Sequence, residues 1–311
     1  MRKINQKDID NRLTKAIRDL SDPKSYDLVC HEHRLGEPMP SIDKLAKMVD
    51  KVRQIIFPGY FGDINLNLGT IEYYIGVMID EVFELISEQI LAGLCFSCGD
   101  NERPEMLQLE KDASKIAMEF IEGLPEIRRM MVTDVNAAYL GDPAANGIGE
   151  VIFCYPATRA ISNYRIAHHL LKLGVPLIPR IITEMAHSET GIDIHPRAEI
   201  DEYFSIDHGT GVVIGSTSVI GKNVKLYQGV TLGAKSFPLD ENGNPIKGIP
   251  RHPIVEDNVV VYSNATVLGR ITIGHDSVIG GNVWVTNSLP PHSKVVQVKS
   301  RQAEFVDGSG I

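Results

Sequence analysis

The stretch Val255–Leu289 reads VEDNVV VYSNAT VLGRIT IGHDSV IGGNVW VTNSL, with an aliphatic residue opening every group of six. The same spacing continues upstream, apart from a two-residue slip at 209–213 and a long interruption before Val255. A period of six matches neither a helix nor an ordinary strand, but it matches a solenoid in which three short strands form one triangular coil. We therefore predict a left-handed parallel β-helix of about four coils. The thirteen opening residues are Ile194, Ile200, Ile206, Ile214, Ile220, Leu226, Leu232, Val255, Val261, Val267, Ile273, Ile279 and Val285.

The bulk composition narrows the classes of function. The chain has 311 residues and a net charge of −9, whereas nucleic-acid binding requires clustered Lys and Arg, so we expect no nucleic-acid partner. No run approaches the roughly eighteen apolar residues of a membrane span, and the first residues, MRKINQKDID, lack a secretory pattern. The four cysteines do not form a dense disulfide framework, so we expect a cytoplasmic protein.

The residues before the repeats are predicted to be helical. Apolar residues at helical spacing mark one helix after Ser41, which acts as its N-cap, and a longer helix after Thr70. Two separate helices are expected near residues 105–121 and 125–139. Two more are predicted near residues 158–173 and 179–188.

The fold class is therefore α+β, in three segments. Residues 1–191 are predicted to form an all-α helical domain and residues 192–290 the left-handed parallel β-helix of hexapeptide repeats with one extended loop. Residues 291–311 are predicted to form a C-terminal tail. A helical segment before a solenoid commonly caps its open end, where strand edges are unpaired. Such a cap can equally be an oligomer interface, and the sequence leaves both roles open.

The candidate catalytic residues lie where the repeat begins or is interrupted. Asp193 and His208 are fifteen residues apart. With the two-residue slip, this separation is close to one full coil of about eighteen residues. These side chains are therefore expected to be neighbours on adjacent coils. A carboxylate beside an imidazole raises its basicity, which suits a general base acting on an alcohol. The interpretation as ordinary solvated loop charges stays open at this point.

Further charged residues are candidates for substrate binding. Arg251, at the end of the long loop, has the forked geometry that matches a carboxylate. Asp142 and Asp207 are candidates for receiving an ammonium group. A charged amino-acid substrate would satisfy both kinds of group.

Six motifs, in this order, resemble those of the serine O-acetyltransferase family. The likeness extends from about Ser41 to Val298. The segment FPGYFG at residues 57–62 is similar to family members with a longer head, which is the N-terminal helical region before the repeats. Hexapeptide repeats are shared by many acyltransferases, so the specific part is DIHP followed by DHGTG and RHP behind a helical head. The motifs are DPA (142–144), YRIAHHL (164–170), DIHP (193–196), IDHGTGVVIG (206–215), GVTLG (229–233) and RHP (251–253).

The resemblance implies transfer of acetyl from acetyl-CoA to the hydroxyl of L-serine, the first committed step of cysteine biosynthesis. It implies that His208 is the general base and that Asp193 orients it. His252 is implied to line the pocket and to help bind or polarise the reacting groups. Direct attack on a thioester requires no metal, so no metal cofactor is expected.

The resemblance also implies how the substrates are held. Arg251 would hold the carboxylate of L-serine, while Asp142 and Asp207 would hold its ammonium group. Inhibition by L-cysteine in the same pocket is likewise implied. In this fold the acetyl-CoA arm lies along the solenoid between neighbouring chains, where small residues permit close approach. Those cofactor-binding candidates are Gly233, Ala234, Ser263 and Gly281.

The family implies a homotrimer or a dimer of trimers, and a C-terminal Ile that enters the active site of cysteine synthase. Here that residue is Ile311, and a frayed terminus is the alternative. Three departures from the family pattern are visible. Ser216 replaces a common Glu, the loop at 235–250 is longer, and the head differs in length, which leaves trimer or hexamer open.

Three rival functions fit parts of the pattern. One is a hexapeptide acyltransferase acting on a sugar or a different amine, and here Arg251 and the two aspartates favour an amino acid over a sugar. A second is a metal hydratase on the same solenoid, with His195, His208 and His252 as ligands. A third is a scaffold that only docks cysteine synthase, which the complete set of catalytic candidates disfavours.

Overall fold

The computed structural model describes most of the chain in two compact units, one ending at Glu37 and the other beginning at Pro38. The first unit contains helix α1 (Gln6–Leu20) and the single-turn helix α2 (Pro23–Tyr26). The side chain of Asp22 begins α2, because it accepts a hydrogen bond from a backbone N–H of the first turn. The described residues are 6–31, 36–62, 66–67, 69–98 and 104–297.

The second unit begins with a helical bundle. Ser41 caps its first helix as predicted, since its Oγ accepts the N–H of Lys44 at 3.3 Å. The short helix α6 was not predicted from the sequence. No helix within the described residues is long and apolar enough to cross a membrane. The helices are α3 (Ile42–Ile56), α4 (Ile71–Ser97), α5 (Met106–Gly141), α6 (Ile148–Cys154), α7 (Pro156–Lys172) and α8 (Ile178–Thr190).

The prediction of two separate helices between residues 105 and 139 was wrong. Helix α5 runs without a break from Met106 to Gly141 and contains Pro125. Proline lacks an N–H and disfavours a helix interior, but burial overrides this preference when one apolar stripe continues on both sides. Leu124 and Ile127 flank the proline, and both are buried. The tertiary packing of the stripe therefore keeps the helix continuous.

The repeats form a left-handed parallel β-helix, as predicted. Within the described residues, fourteen short strands fall into three parallel sheets, which are the three faces of the solenoid. Sheet A contains β1 (Asp193–Ile194), β4 (Val213–Ile214), β7 (Thr231–Gly233), β10 (Thr266–Leu268) and β13 (Trp284–Val285). Sheet B contains β2 (Glu199–Ile200), β5 (Val219–Ile220), β8 (Ile254–Val255) and β11 (Thr272–Ile273). Sheet C contains β3 (Ser205–Asp207), β6 (Lys225–Tyr227), β9 (Val260–Val261), β12 (Val278–Ile279) and β14 (Lys294–Val295).

All thirteen predicted opening residues of the hexads are buried inside the solenoid. Consecutive coils stack in register, for example with Ile214 opposite Leu232 and Leu226 opposite Val261. The solenoid also extends past residue 290, where the predicted tail begins, because β14 pairs with β12. Residues 298–311, which hold the end of the tail, lie outside the described residues.

Helix α7 closes the first coil. The hydroxyl of Tyr164 donates to the carbonyl of Ala198 at 2.6 Å. Arg165 donates to the carbonyls of Ile200 and Asp201 at 2.5 and 2.7 Å. Since β2 is the edge strand of sheet B, these bonds satisfy carbonyl groups that no further strand can reach. Tyr164 and Arg165 of the YRIAHHL motif therefore join the helices to the solenoid.

Candidate active site

The corner between sheets C and A brings together three of the predicted site residues. Asp207 ends β3, and His208 follows it at φ 57°, in the left-handed region. This conformation turns the imidazole outward, and the side chain is 75% exposed, with Nε2 3.8 Å from Oδ1 of Asp207. Asp142, at the end of α5, lines the same pocket. Two carboxylates and one imidazole thus converge at one corner.

Asp142 is oriented by two neutral donors. Its Oδ1 accepts the N–H of Ala144 at 2.8 Å, and its Oδ2 accepts the hydroxyl of Tyr155, which begins α7. The Tyr155 hydrogen bond, followed by the bond from Ala144, lowers the pKa of Asp142. The same contact raises the pKa of Tyr155 to about 12. Asp142 therefore stays ionised while Tyr155 keeps its proton.

Lys225 is an additional cation at this corner. Its Nζ lies 3.0 Å from Oδ2 of Asp207 and donates to the carbonyl of Gly141 at 2.7 Å. Burial lowers the pKa of Lys225, but the hydrogen bonds with Asp207 and Tyr227 outweigh it and the net change is upward. Asp207 is therefore already paired with an ammonium group, whereas Asp142 is hydrogen-bonded only to neutral groups.

The corner between sheets A and B carries the second group of predicted residues. Arg251 and His252 end the long loop, and both backbone N–H groups donate to Oγ1 of Thr217, at 2.9 and 3.1 Å. The backbone N–H of Thr217 donates to Nδ1 of His252 at 3.1 Å. Nδ1 must therefore accept, which leaves the proton of the neutral ring on Nε2. Burial, with Arg251 and Arg270 nearby, lowers the pKa of His252 to about 4.

A cavity of about 500 Å³ adjoins Arg251. His195 faces it with a pKa lowered to about 4, first by burial and then by neighbouring cations. Its Nδ1 accepts the N–H of Arg197 at 3.0 Å. The outer wall of the cavity comes from the long loop, which thus covers this corner. The loop residues of the wall are Phe237, Pro245, Ile246, Lys247 and Gly248.

Asp193 begins β1, where the structure places its carboxylate beside helix α8. Its Oδ1 lies 3.9 Å from Nη1 of Arg180, and its neighbours include Glu184 and His187. Within the described part of a single chain, no ion pair of 4.0 Å or less joins Asp193 to His208. The predicted pairing of these two residues therefore stays a prediction.

The cofactor-binding candidates divide between the same two corners. Gly233 ends β7, and Ala234 follows it at the corner between sheets A and B. Ser263 and Gly281 follow β9 and β12 at the corner between sheets C and A. A side chain at Gly281 would lie 3.1 Å from the carbonyl of Ser263, so glycine keeps this column narrow. Small residues therefore occur on both corners.

The two groups of site residues flank one face of the solenoid. His208 precedes β4 in sheet A, and Thr217 follows it. A hexad in strand conformation spans roughly 20 Å, and the two groups line separate pockets, so we do not expect one small substrate to touch both corners of the same chain. The structure thus brings Asp142, Asp207 and His208 together, and it brings Arg251 together with His252. It does not bring the two groups together within one chain.

Three contributing residues were not predicted from the sequence: Tyr155, Lys225 and Thr217. The repeat contained a signal for Lys225, because residues in register on neighbouring coils lie side by side and β3 pairs with β6. Thr217 has the same kind of signal through the strand pairing of β5 with β8. Tyr155 had none, because the packing of α7 against α5 places it.

The chain is similar to several proteins of known activity. It is 51% identical over 276 residues to a plasmid serine acetyltransferase of Synechococcus elongatus, covering 88% of this chain and 86% of that protein. It is 46% identical over 165 residues to the serine acetyltransferase of Mycobacterium tuberculosis, covering 53% of this chain and 68% of that protein. No family model matches the chain.

Solved structures agree with this likeness. Serine acetyltransferase 1 of Entamoeba histolytica in complex with L-cysteine superposes with a TM-score of 0.70 at 35% identity, covering 90% of this chain and 94% of that one. The fold and the two corner groups define an acyltransferase built on a left-handed parallel β-helix. The chain belongs to the serine acetyltransferase family.

Proposed function

We propose that the chain transfers the acetyl group of acetyl-CoA to the hydroxyl of L-serine, giving O-acetyl-L-serine and CoA in cysteine biosynthesis. The observation that carries this proposal is the pocket formed by Asp142, Asp207 and His208 in a member of the serine acetyltransferase family. An ammonium group between the carboxylates would place the serine hydroxyl beside the exposed imidazole.

In the proposed reaction, His208 removes the proton of the serine hydroxyl while the oxygen attacks the thioester carbonyl. The carbon–sulfur bond then breaks, and the leaving thiolate takes the proton from the imidazolium. Asp193 is proposed to orient His208 and to stabilise its charged form. The N–H at Nε2 of His252 is free to donate to the oxygen that becomes negative during attack. Arg251 holds the substrate carboxylate.

We further propose that each complete site lies between two chains of a trimer. Support comes from the separation of the two groups on opposite edges of sheet A. A threefold axis parallel to the solenoid brings the corner between sheets A and B of one chain against the corner between sheets C and A of the next. Acetyl-CoA would lie in this groove, beside Gly233 and Ala234 of one chain and Ser263 and Gly281 of the other. The helical head would decide between a trimer and a dimer of trimers.

Inhibition by L-cysteine is part of this proposal. Cysteine has the same ammonium and carboxylate groups as serine, so the two groups that hold serine also fit cysteine. The Entamoeba histolytica relative was solved in complex with L-cysteine. We also propose that the end of the tail, at Ile311, binds cysteine synthase. Deletion of residues 308–311 should then remove this binding and leave acetyl transfer unchanged, and unaltered binding in calorimetry would contradict it.

The test of the reaction is CoA release with L-serine, compared with L-homoserine and an amino sugar. The proposal requires a clear preference for L-serine, and equal rates with the amino sugar would overturn it. Replacement of His208 by Ala should abolish transfer while circular dichroism stays unchanged. A variant with near-normal kcat would contradict the role of His208.

The shared site has its own test. Inactive His208→Ala chains and inactive Arg251→Ala chains are unfolded together in equal amounts and refolded. In randomly mixed trimers, about a quarter of the sites should combine two intact corners, so activity should return. Each variant refolded alone is the matched control. Mixed trimers, verified by mass spectrometry, that stay inactive would show that each site belongs to one chain.

A further inference from the structure

The third corner of the solenoid, between sheets B and C, carries neither group of site residues. Each coil places one residue there in the left-handed region, with φ between 55° and 60°. Because the coils stack in register, these side chains form a column along the corner. Nδ2 of Asn223 donates to Oδ1 of Asn258 at 3.0 Å, and Nδ2 of Asn258 donates to Oδ1 of Asp276 at 3.1 Å. The members of the column are Tyr203, Asn223, Asn258, Asp276 and His292.

The chemistry of the column changes at its C-terminal end. Two carboxamides are followed by the carboxylate of Asp276 and the imidazoles of His275 and His292. Nδ1 of His275 lies 2.6 Å from Oδ2 of Asp276, and Nδ1 of His292 lies 3.9 Å from the same oxygen. The two rings meet edge to face, with centroids 5.1 Å apart. Ligand atoms from all three side chains lie within 4.8 Å of one another.

We propose that His275, Asp276 and His292 bind a divalent transition-metal ion of the zinc class. Two imidazole nitrogens and one carboxylate oxygen form a donor set that zinc uses, with water completing the coordination. Asn258 occupies Oδ1 of Asp276, which directs Oδ2 toward both histidines. A column that served only to hydrogen-bond successive turns would need no charge at this point, because a third Asn would continue it.

The backbone around the site is already fixed. The N–H of His275 donates to Oε2 of Glu256 at 2.8 Å, and the N–H of His292 donates to the carbonyl of His275 at 2.9 Å. His275 and Asp276 lie on one coil, and His292 lies on the next. The bound ion would therefore join the last two coils and hold the end of the solenoid closed. Its role would be structural, since this corner is not part of the proposed catalytic groove.

Zinc titration of the full, untagged chain, after removal of metals with a chelator, tests this site. The matched variants are His292→Asn and Asp276→Asn, because Asn tolerates the left-handed conformation. Asp276→Asn also keeps the acceptor for Asn258. In calorimetry the wild type should bind one zinc ion per chain more than either variant, or bind it at least about tenfold more tightly. His187→Ala, in the separate group with Glu184 and Asp193, should still bind this ion.

Cobalt(II) separates this site from the four cysteines. Histidine and carboxylate ligands give visible d–d bands without the intense near-ultraviolet band of a thiolate complex. Zinc should also slow hydrogen exchange at residues 290–295 in the wild type and not in the two variants. Equal zinc stoichiometry and affinity in wild type and both variants would overturn the proposal. Acetyl transfer to L-serine by His292→Asn should be normal, so failure of the metal site is distinguishable from failure of the proposed reaction.

Discussion

The hydroxyl of Tyr155 donates to the carboxylate of Asp142 and thereby joins the start of α7 to the end of α5. This contact fixes a carboxylate that the chain presents beside the exposed imidazole of His208. It lowers the pKa of Asp142 by stabilising the ionised form. The helical bundle thus contributes directly to the proposed serine site, in addition to closing the first coil.

Replacement of Tyr155 by Phe removes this donor and should raise the KM for L-serine by roughly threefold to tenfold. The pKa of Asp142 should rise toward its ordinary value, because the largest stabiliser of its ionised form is lost. The acidic limb of kcat/KM for serine should therefore move to higher pH. Tyr60→Phe, in the same bundle, is the matched control. An unchanged pH profile in Tyr155→Phe would contradict this role.

The two aspartates at the proposed serine site should differ in their effect on the KM for L-serine. Asp207 already has the ammonium of Lys225 at 3.0 Å, whereas the donors to Asp142 are neutral. Asp142→Asn should therefore raise the KM for L-serine more than Asp207→Asn does. In a Lys225→Met background the difference should shrink, since Asp207 then loses its partner. Steady-state kinetics at saturating acetyl-CoA decide this, and a larger effect of Asp207→Asn would refute the ranking.

Thr217 is expected to position Arg251 and His252. Thr217→Val has nearly the same shape but leaves two backbone N–H groups without their acceptor, which costs about 1–3 kcal/mol for each buried group. We expect a fall in kcat/KM for serine together with a lower Tm. Thr217→Ser keeps the hydroxyl and should restore both. If Thr217→Val and Thr217→Ser have the same kcat/KM and the same Tm, the hydroxyl has no positioning role.

Gly215 should be required for the placement of His252. A Cβ at this position would lie 2.0 Å from Cδ2 of the His252 ring, so Gly215→Ala must displace the imidazole. A shift of this kind should lower kcat on the order of 100-fold. Gly76→Ala, on α4, is the control, because a Cβ added there would have no atom within 4 Å. Comparable kcat values for the two variants would show that the ring is not confined as described.

The buried pair of Arg165 and Asp134 should determine the stability of the junction between helices and solenoid. Nη2 of Arg165 lies 3.0 Å from Asp134, and both side chains are at least 95% buried. Arg165→Met leaves an unpaired buried carboxylate and should destabilise the fold by about 3–5 kcal/mol in urea unfolding. The double variant Arg165→Met/Asp134→Asn should lose less unfolding free energy than Arg165→Met alone, because it leaves no buried charge. Lys44→Met, at an exposed pair with Glu88, should change stability by about 0–1 kcal/mol.

Local pattern predicted the solenoid well, because each hexad buries its own aliphatic residue whatever the rest of the chain does. The same local reasoning failed at Pro125, where burial of Leu124 and Ile127 outweighs the preference of proline. It also missed Tyr155, since no periodicity links residue 155 to Asp142. Contacts between helices depend on how whole helices pack, and a spacing rule does not contain that information.

The sequence by itself determined the β-helix and the residue types able to perform the chemistry, because a period of six fixes both the coil and the places where it is interrupted. Only the tertiary structure decided how those residues are grouped. It placed Asp142 with Asp207 and His208 at one corner, and Arg251 with His252 at another. The physical reason is that the three corners of a triangular coil point in different directions. Only the packing of α5 and α7 brings Asp142 to the corner where His208 lies.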